Sequence, residues 1–301
     1  MILVIALYAL LASTFTLGKV LLYFLPPLLL IAVRMTLAGA ILLTIDYFST
    51  AKKRVFKISD FACLSLLSCI HIFIPYSSEF IALQYIDPSC AALMYNLSPF
   101  ITALFSYIFF KESMTLKKWI GFGLGFAGIL YFVKLDLSCL YVLEGVTIYN
   151  NAYIMLLLSV ISASAGWVLV RYLMQYKNMS IAYINGIAMV LGGLQACIAS
   201  CFFEATSVTM TSFTSSFWLL LGMVILIANI LFYNLYGYLL KQYTATFLSF
   251  VGFITPLFTA LYDYLFLGIP IHVDFFITIG IVGCGIYLFY QEELKQGYIV
   301  S

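Results

Sequence analysis

Charge is what this chain has least of. Asp, Glu, Lys and Arg make up 9% of its 301 residues, against roughly 25% in an ordinary soluble domain, so a soluble fold is excluded. The formal net charge is only +2, and a nucleic-acid partner would find no basic surface to hold it. The seven cysteines, at 63, 69, 90, 139, 197, 201 and 284, are odd in number and show no CxxC or Cys/His spacing. They read as small packing residues rather than disulfides or metal ligands. No basic stretch precedes the apolar run that begins at Ile2, which argues for a first span that is retained and against a cleaved signal peptide. Nucleotide-binding motifs are missing as well: Gly121-x-Gly123 lies inside an apolar run with no strand before it, and no Walker motif is present. Neither a cofactor nor a metal is expected. Any energy input must come from a gradient or from exchange, not from a nucleotide.

What the chain has instead is apolar length, 64% of its residues. A bilayer is crossed by roughly 20 such residues in a helix. That ruler gives ten spans, at about 2–22, 27–48, 60–85, 88–110, 117–134, 152–174, 180–203, 216–240, 244–267 and 271–291. Pro26-Pro27, Asp87-Pro88 and Gly268-Ile269-Pro270 punctuate them. Only the connector at 135–151 is long, dividing the chain into 1–134 and 152–291, with a tail at 292–301. With the N-terminus inside, eleven Lys and Arg residues fall on the inner side (52, 53, 54, 57, 111, 117, 118, 171, 177, 241 and 295), and only Lys19 and Lys134 fall outside. The positive-inside rule then puts both termini in the cytoplasm.

The two halves are related. Shifted by 157 residues, segment 72–132 lies on 229–289 without a gap, and thirteen positions coincide, among them Tyr76/Tyr233, Pro99/Pro256, Thr102/Thr259, Ala103/Ala260, Gly123/Gly280 and Gly128/Gly285. Five spans per half is an odd number, so the second copy is inverted relative to the first. The fold expected is an all-α integral membrane protein, ten transmembrane helices arranged as two inverted five-helix repeats. Many secondary transporters are built this way, with the binding site at the repeat interface.

Polar groups inside spans cost on the order of 3 kcal/mol at the bilayer centre when charged, so each marks a candidate site. In the third span Ser68, His71, Pro75, Ser78, Glu79 and Ala82 fall near one face, and Pro75 frees a backbone carbonyl near His71. Asn229, Tyr233 and Tyr236 make the matching stripe in the eighth span. Tyr95, Asn96 and Pro99 in the fourth span, and Pro256 and Asp263 in the ninth, complete the expected cavity. Glu79 is the first choice for a carboxylate that binds substrate or a coupling proton, Asp263 the second. His71 is a candidate proton shuttle, and Trp167 a stacking wall. Tyr76, Tyr95, Tyr233 and Tyr236 beside carboxylates suit a cationic or zwitterionic ligand.

Ser13-Thr14-Phe15, Lys19, Leu25-Pro26-Pro27, Arg34, Ala82-Leu83-Gln84-Tyr85, Ser98-Pro99, Phe110-Lys111-Glu112 and the glycine run Gly121 to Gly128 resemble the first repeat of the drug/metabolite transporter superfamily, in its EamA-like branch. Thr255-Pro256, Leu267-Gly268 and Gly280 to Gly285 resemble the second. Leu11-Ala12 stand where that family carries Trp-Gly in its first span. The resemblance implies a secondary carrier or exchanger in the cell membrane (the inner membrane in a bacterium), moving a small organic metabolite by alternating access, as a monomer or homodimer. It also implies that Lys19 and Arg34 stand at family basic positions and help orient an anionic group. S-adenosylmethionine, carried by some members of the superfamily, offers an adenine, a sulfonium and an ammonium to such a cavity. The other readings are an exporter of amino acids or drugs, a channel, and an intramembrane enzyme. A channel would favour a repeated ring of like polar groups, and Glu79 pairs with the unlike Tyr236 across the repeat. An aspartyl intramembrane enzyme would need a second motif carboxylate, and Ile286 stands where Gly283-Cys284-Gly285 would lead to it. An enzyme is therefore not expected.

Overall fold

A computed structural model of the chain describes residues 2–49, 58–86, 91, 94–133, 147–177, 179–204, 214–262, 264–265 and 273–298. Among these every regular element is helical: α1 (Ile2–Leu21), α2 (Pro27–Ser49), α3 (58–82), α4 (Ser98–Phe110), α5 (Leu116–Val133), α6 (Thr147–Lys177), α7 (Ile181–Phe203), α8 (Ser215–Leu239), α9 (Ala245–Tyr262) and α10 (Val273–Lys295). Eight of them, all but α4 and α5, are long and apolar enough to cross a membrane. α6 begins at Thr147, inside the segment expected to be connector.

In lipid, helices gain little from hiding apolar surface against one another, so close approach and polar bonds must hold the bundle. Three pairings dominate, α2 with α7, α5 with α10 and α3 with α6. The first two close on glycine. A Cβ on Gly39 would lie 2.7 Å from the carbonyl oxygen of Gly186, and Gly121 and Gly285 each face the other's carbonyl at 2.8 and 2.7 Å. α2 and α7 also cap one another. Pro27 opens α2 at a position where a missing N–H costs nothing, and the Glu204 carboxylate at the end of α7 accepts from the amides of Leu28 and Leu29 at 2.8 and 3.0 Å. At the other end Ser180 caps α7, accepting from the Tyr183 amide at 3.2 Å and donating its hydroxyl to Asp46 at the end of α2. A cap of this kind contributes about 1 kcal/mol, and here each also fixes the antiparallel register.

One end of the bundle gathers most of the charge. Lys177 Nζ meets Asp60 Oδ1 at 3.1 Å, Arg171 pairs with Glu112, and Lys118 Nζ meets Glu293 Oε1 at 2.7 Å. Lys111, Lys117 and Lys295 adjoin these pairs in sequence.

The helix boundaries repeat at the same spacing as the sequence. α3 and α8 each open into a π-helical stretch, Ser68–Phe73 and Ile225–Phe232, and the two begin 157 residues apart. α3 and α8 end at Ala82 and Leu239, and helical runs start at Ser98 and Thr255 and at Leu116 and Val273, again 157 apart. Pro75 follows the first π turn, but Phe232 stands at the matching place in the second. Proline therefore does not account for both.

Candidate functional site

A cavity of about 120 Å³ lies between α1, α2, α3, α4, α6, α8 and α9. The π turn in α3, a feature often found at functional sites, leaves the stretch after it facing the cavity with Pro75, Tyr76, Glu79 and Phe80. Pro99 and Pro256 each sit second in a helical run, Ser98–Phe110 and Thr255–Tyr262. The residues that open those runs, Ser98 and Thr255, both line the cavity.

One part of the cavity is charged. Arg34, buried in the middle of α2, donates from Nε to Asn229 Oδ1 at 2.8 Å, and its guanidinium carbon lies 5.0 Å from the centre of the Tyr76 ring and 5.7 Å from that of Phe80. Asn229 is held in turn by a contact from Nδ2 to Met35 Sδ at 3.2 Å. Glu79 Oε2 accepts from the Tyr95 hydroxyl at 2.6 Å, and that hydroxyl also meets Ser159 Oγ at 2.8 Å. Arg34 and Glu79 sense one another's charge, yet among the described residues no ion pair joins them. An ionised group in this setting is costly unless paired. A cation and an anion held side by side, each braced by neutral partners, therefore fit a ligand carrying both signs.

The other part is aromatic. Trp167 on α6 lies on Tyr236 with ring centroids 3.9 Å apart, and Tyr233 stands 5.0 Å away. His71 meets Trp167 edge-on at 4.5 Å. Tyr8 crosses from α1, donating to the Leu248 carbonyl, and Gly252 leaves room for its ring. His71 fits only because residue 166 is glycine: a Cβ there would stand 2.1 Å from His71 Nδ1. Neither ring nitrogen of His71 has a partner of good hydrogen-bond geometry, and the Ser164 hydroxyl beside it is likewise unpartnered among the described residues. His71 and Glu79 are eight residues apart on α3, or roughly 12 Å at 1.5 Å per residue.

Of the residues expected from sequence, the cavity brings together His71, Tyr76, Glu79, Tyr95, Asn96, Trp167, Tyr233 and Tyr236, with Pro75 on its wall. Asn229 stands one step back, as the support of Arg34. Ser78 is buried but outside the lining, and Lys19 donates to the Ile86 carbonyl at 2.9 Å, away from it. Asp263 lies outside the described residues. Lining residues that carry no expectation from sequence as site residues include Tyr8, Phe80, Ser164 and Phe232. Ser164 had a usable signal, since it lies one helical turn before Trp167. Tyr8 had none, being a single tyrosine in the apolar run that opens α1.

The sequence model of the EamA-like transporter family matches residues 1–134 and 150–291. Over 297 residues the chain is 31% identical to a protein of Chlamydia muridarum (strain MoPn / Nigg) named an S-adenosylmethionine/S-adenosylhomocysteine transporter, covering 96% of this chain and 91% of that one. A protein of the same name from Chlamydia trachomatis serovar L2 is 30% identical over 295 residues, covering 96% and 88%. A solved crystal structure superimposes with a TM-score of 0.74 at 17% identity, covering 97% of this chain and 96% of the other. That likeness concerns the fold alone.

Proposed function

The chain belongs to the EamA-like transporter family, and on that premise we propose that it carries S-adenosylmethionine and S-adenosylhomocysteine across a membrane by alternating access. The observation that carries the substrate is the division of one cavity into an ionic and an aromatic part. Arg34 and Glu79 are opposite charges without each other as partners, matching the carboxylate and ammonium of an amino-acid group. Trp167 and Tyr236 stack on one another, and the outer face of that stack suits an adenine ring. The sulfonium of S-adenosylmethionine then sits among tyrosines and Glu79, where cation–π and charge attraction both favour it. The names of the Chlamydia relatives support the same pair of ligands.

The architecture within this proposal is ten spans in two inverted five-helix repeats, 1–134 and 152–291. The shared 157-residue spacing of π turns and helix starts supports it, as does the mutual capping of α2 and α7. Both termini are cytoplasmic in this reading, because the end holding Arg171, Lys177 and Lys118 is the positive one. Exchange of one adenosyl compound for the other needs no coupling ion.

Counterflow tests the proposal. Proteoliposomes loaded with unlabelled S-adenosylhomocysteine take up labelled S-adenosylmethionine faster than empty ones if the protein is a carrier. Uptake that follows the gradient alone, with no acceleration from the loaded side, is channel behaviour and ends the carrier reading. Uptake of amino acids but of no adenosyl compound ends the substrate assignment.

A further inference from the structure

Two buried polar side chains in the aromatic part of the cavity lack partners. His71 is 1% exposed and Ser164 is 2% exposed, and both line the cavity; neither ring nitrogen of the first makes a hydrogen bond of good geometry, and the hydroxyl of the second has no partner among the described residues. A buried polar group left unpaired is unfavourable, and in a binding cavity it points to a ligand atom. The two are neighbours across one helix contact: the backbone carbonyl of Ala163, next to Ser164, faces the His71 ring. Trp167, one turn beyond Ser164, touches His71 at its edge and Tyr236 on its face.

We propose that His71 and Ser164 form a base-reading edge that selects a 6-aminopurine over a 6-oxopurine once the ring is stacked against Trp167. The inference rests on the adenosyl reading above and adds to it the group that distinguishes one base from another. A carbonyl is an acceptor, so Ala163 draws the single N–H of a neutral imidazole towards itself and leaves the other ring nitrogen as an acceptor. The exocyclic amino group of adenine is a donor that this nitrogen takes. The Ser164 hydroxyl, free to rotate, donates to a ring nitrogen of the base. A 6-oxo group opposite His71 sets acceptor against acceptor, and a site built to hydrogen-bond one partner rejects an isostere that leaves its buried groups unpaired. Gly166 belongs to the device, since any larger residue would occupy the space of the imidazole.

The test compares S-adenosylhomocysteine with S-inosylhomocysteine, its 6-oxopurine analogue, as competitors of labelled S-adenosylmethionine uptake by the full chain in proteoliposomes. The amino-acid halves are identical, so only the base is read. The wild type is expected to prefer the adenine compound at least tenfold, His71→Phe and Ser164→Ala to bring that ratio below about threefold, and Glu79→Gln to weaken both competitors alike. Ser164→Ala removes one oxygen and leaves the packing, so it carries the test should His71→Phe not fold. Equal competition in the wild type, or a ratio retained in Ser164→Ala and in any folded His71→Phe, overturns the base-reading edge while adenosyl transport stands. If no adenosyl compound competes or raises the thermal stability of the purified protein, the carrier's substrate assignment and the edge fall together.

Discussion

Trp167 on α6 lies nearly parallel to Tyr236 on α8, their planes 23° apart and their centroids at 3.9 Å. The pair joins α6 to α8 within the cavity, and its outer ring face is the surface proposed for a base. Stacking a base on an aromatic side chain contributes about 1–3 kcal/mol by alanine substitution. Trp167→Ala should therefore raise the apparent KM for S-adenosylmethionine by about 5- to 150-fold, with Trp167→Phe in between. Initial uptake rates over a range of concentrations measure this. An unchanged KM in Trp167→Ala would remove the aromatic wall from the site.

Arg34 and Glu79 are assigned to the amino-acid half of the ligand, and a truncated competitor separates that role from a general effect on folding. Methylthioadenosine keeps the base, the ribose and the sulfur but has neither carboxylate nor ammonium. Glu79→Gln and Arg34→Gln should each weaken competition by S-adenosylhomocysteine by tenfold or more while leaving methylthioadenosine within about twofold of the wild type. The basis is that a hydrogen-bonded charge contributes about 1.5–3 kcal/mol. Equal losses for both competitors would mean that the substitutions disturb the cavity as a whole.

Gly166→Ala offers a steric test. The added methyl would stand 2.1 Å from His71 Nδ1 and 2.5 Å from its Cγ, so the imidazole must leave its place. Gly222→Ala is the matched control, because nothing lies within 4 Å of the position and alanine favours a helix by about 1 kcal/mol over glycine. The expectation is a lower Tm and lost transport for Gly166→Ala, and an equal or higher Tm with normal transport for Gly222→Ala. Thermal unfolding of both in detergent, beside uptake, gives the answer.

The helices were legible because apolar length and proline-glycine punctuation decide them locally. The 157-residue relation was legible in paired residues such as Pro99/Pro256, and the same spacing separates Ser98 from Thr255 and Ser68 from Ile225. Ser78 shows the limit of periodicity. A straight α-helix puts it on the face of His71, whereas the π turn at Ser68–Phe73 changes the register and brings Phe80 to the cavity instead. The Arg34–Asn229 bond was equally hidden, since it links α2 to α8 across 195 residues. Glu79 was legible for the opposite reason: a carboxylate inside an apolar span advertises itself by its cost.

The last prediction concerns the end of the bundle where Glu112 receives Arg171 and, at 3.3 Å, the Thr246 hydroxyl, while Glu293 receives Lys118 and the Thr244 hydroxyl, each at 2.7 Å. Five helices are tied there, α4, α5, α6, α9 and α10. α4 ends with Lys111 at φ 57°, and the Glu112 amide returns to the Ser106 carbonyl at 3.4 Å, a C-cap that aims Glu112 inward. At the 157-residue spacing Thr14 stands for Arg171 and Phe275 for Lys118, so these two cations have no basic counterpart in the other half. Alternating access requires such a closure to open, and breaking a buried ion pair by removing one partner costs about 3–5 kcal/mol, enough to shift a conformational balance. Ser106 is fully buried one turn beyond the cavity-lining Thr102, between the cavity and the ion pairs. In a background with the seven native cysteines replaced, Ser106→Cys should react slowly with a membrane-impermeant thiol reagent applied from the Lys177 side. Adding Glu112→Gln should speed that reaction tenfold or more, because the end no longer holds shut. A rate that does not change would show that packing, and not charge, closes this end.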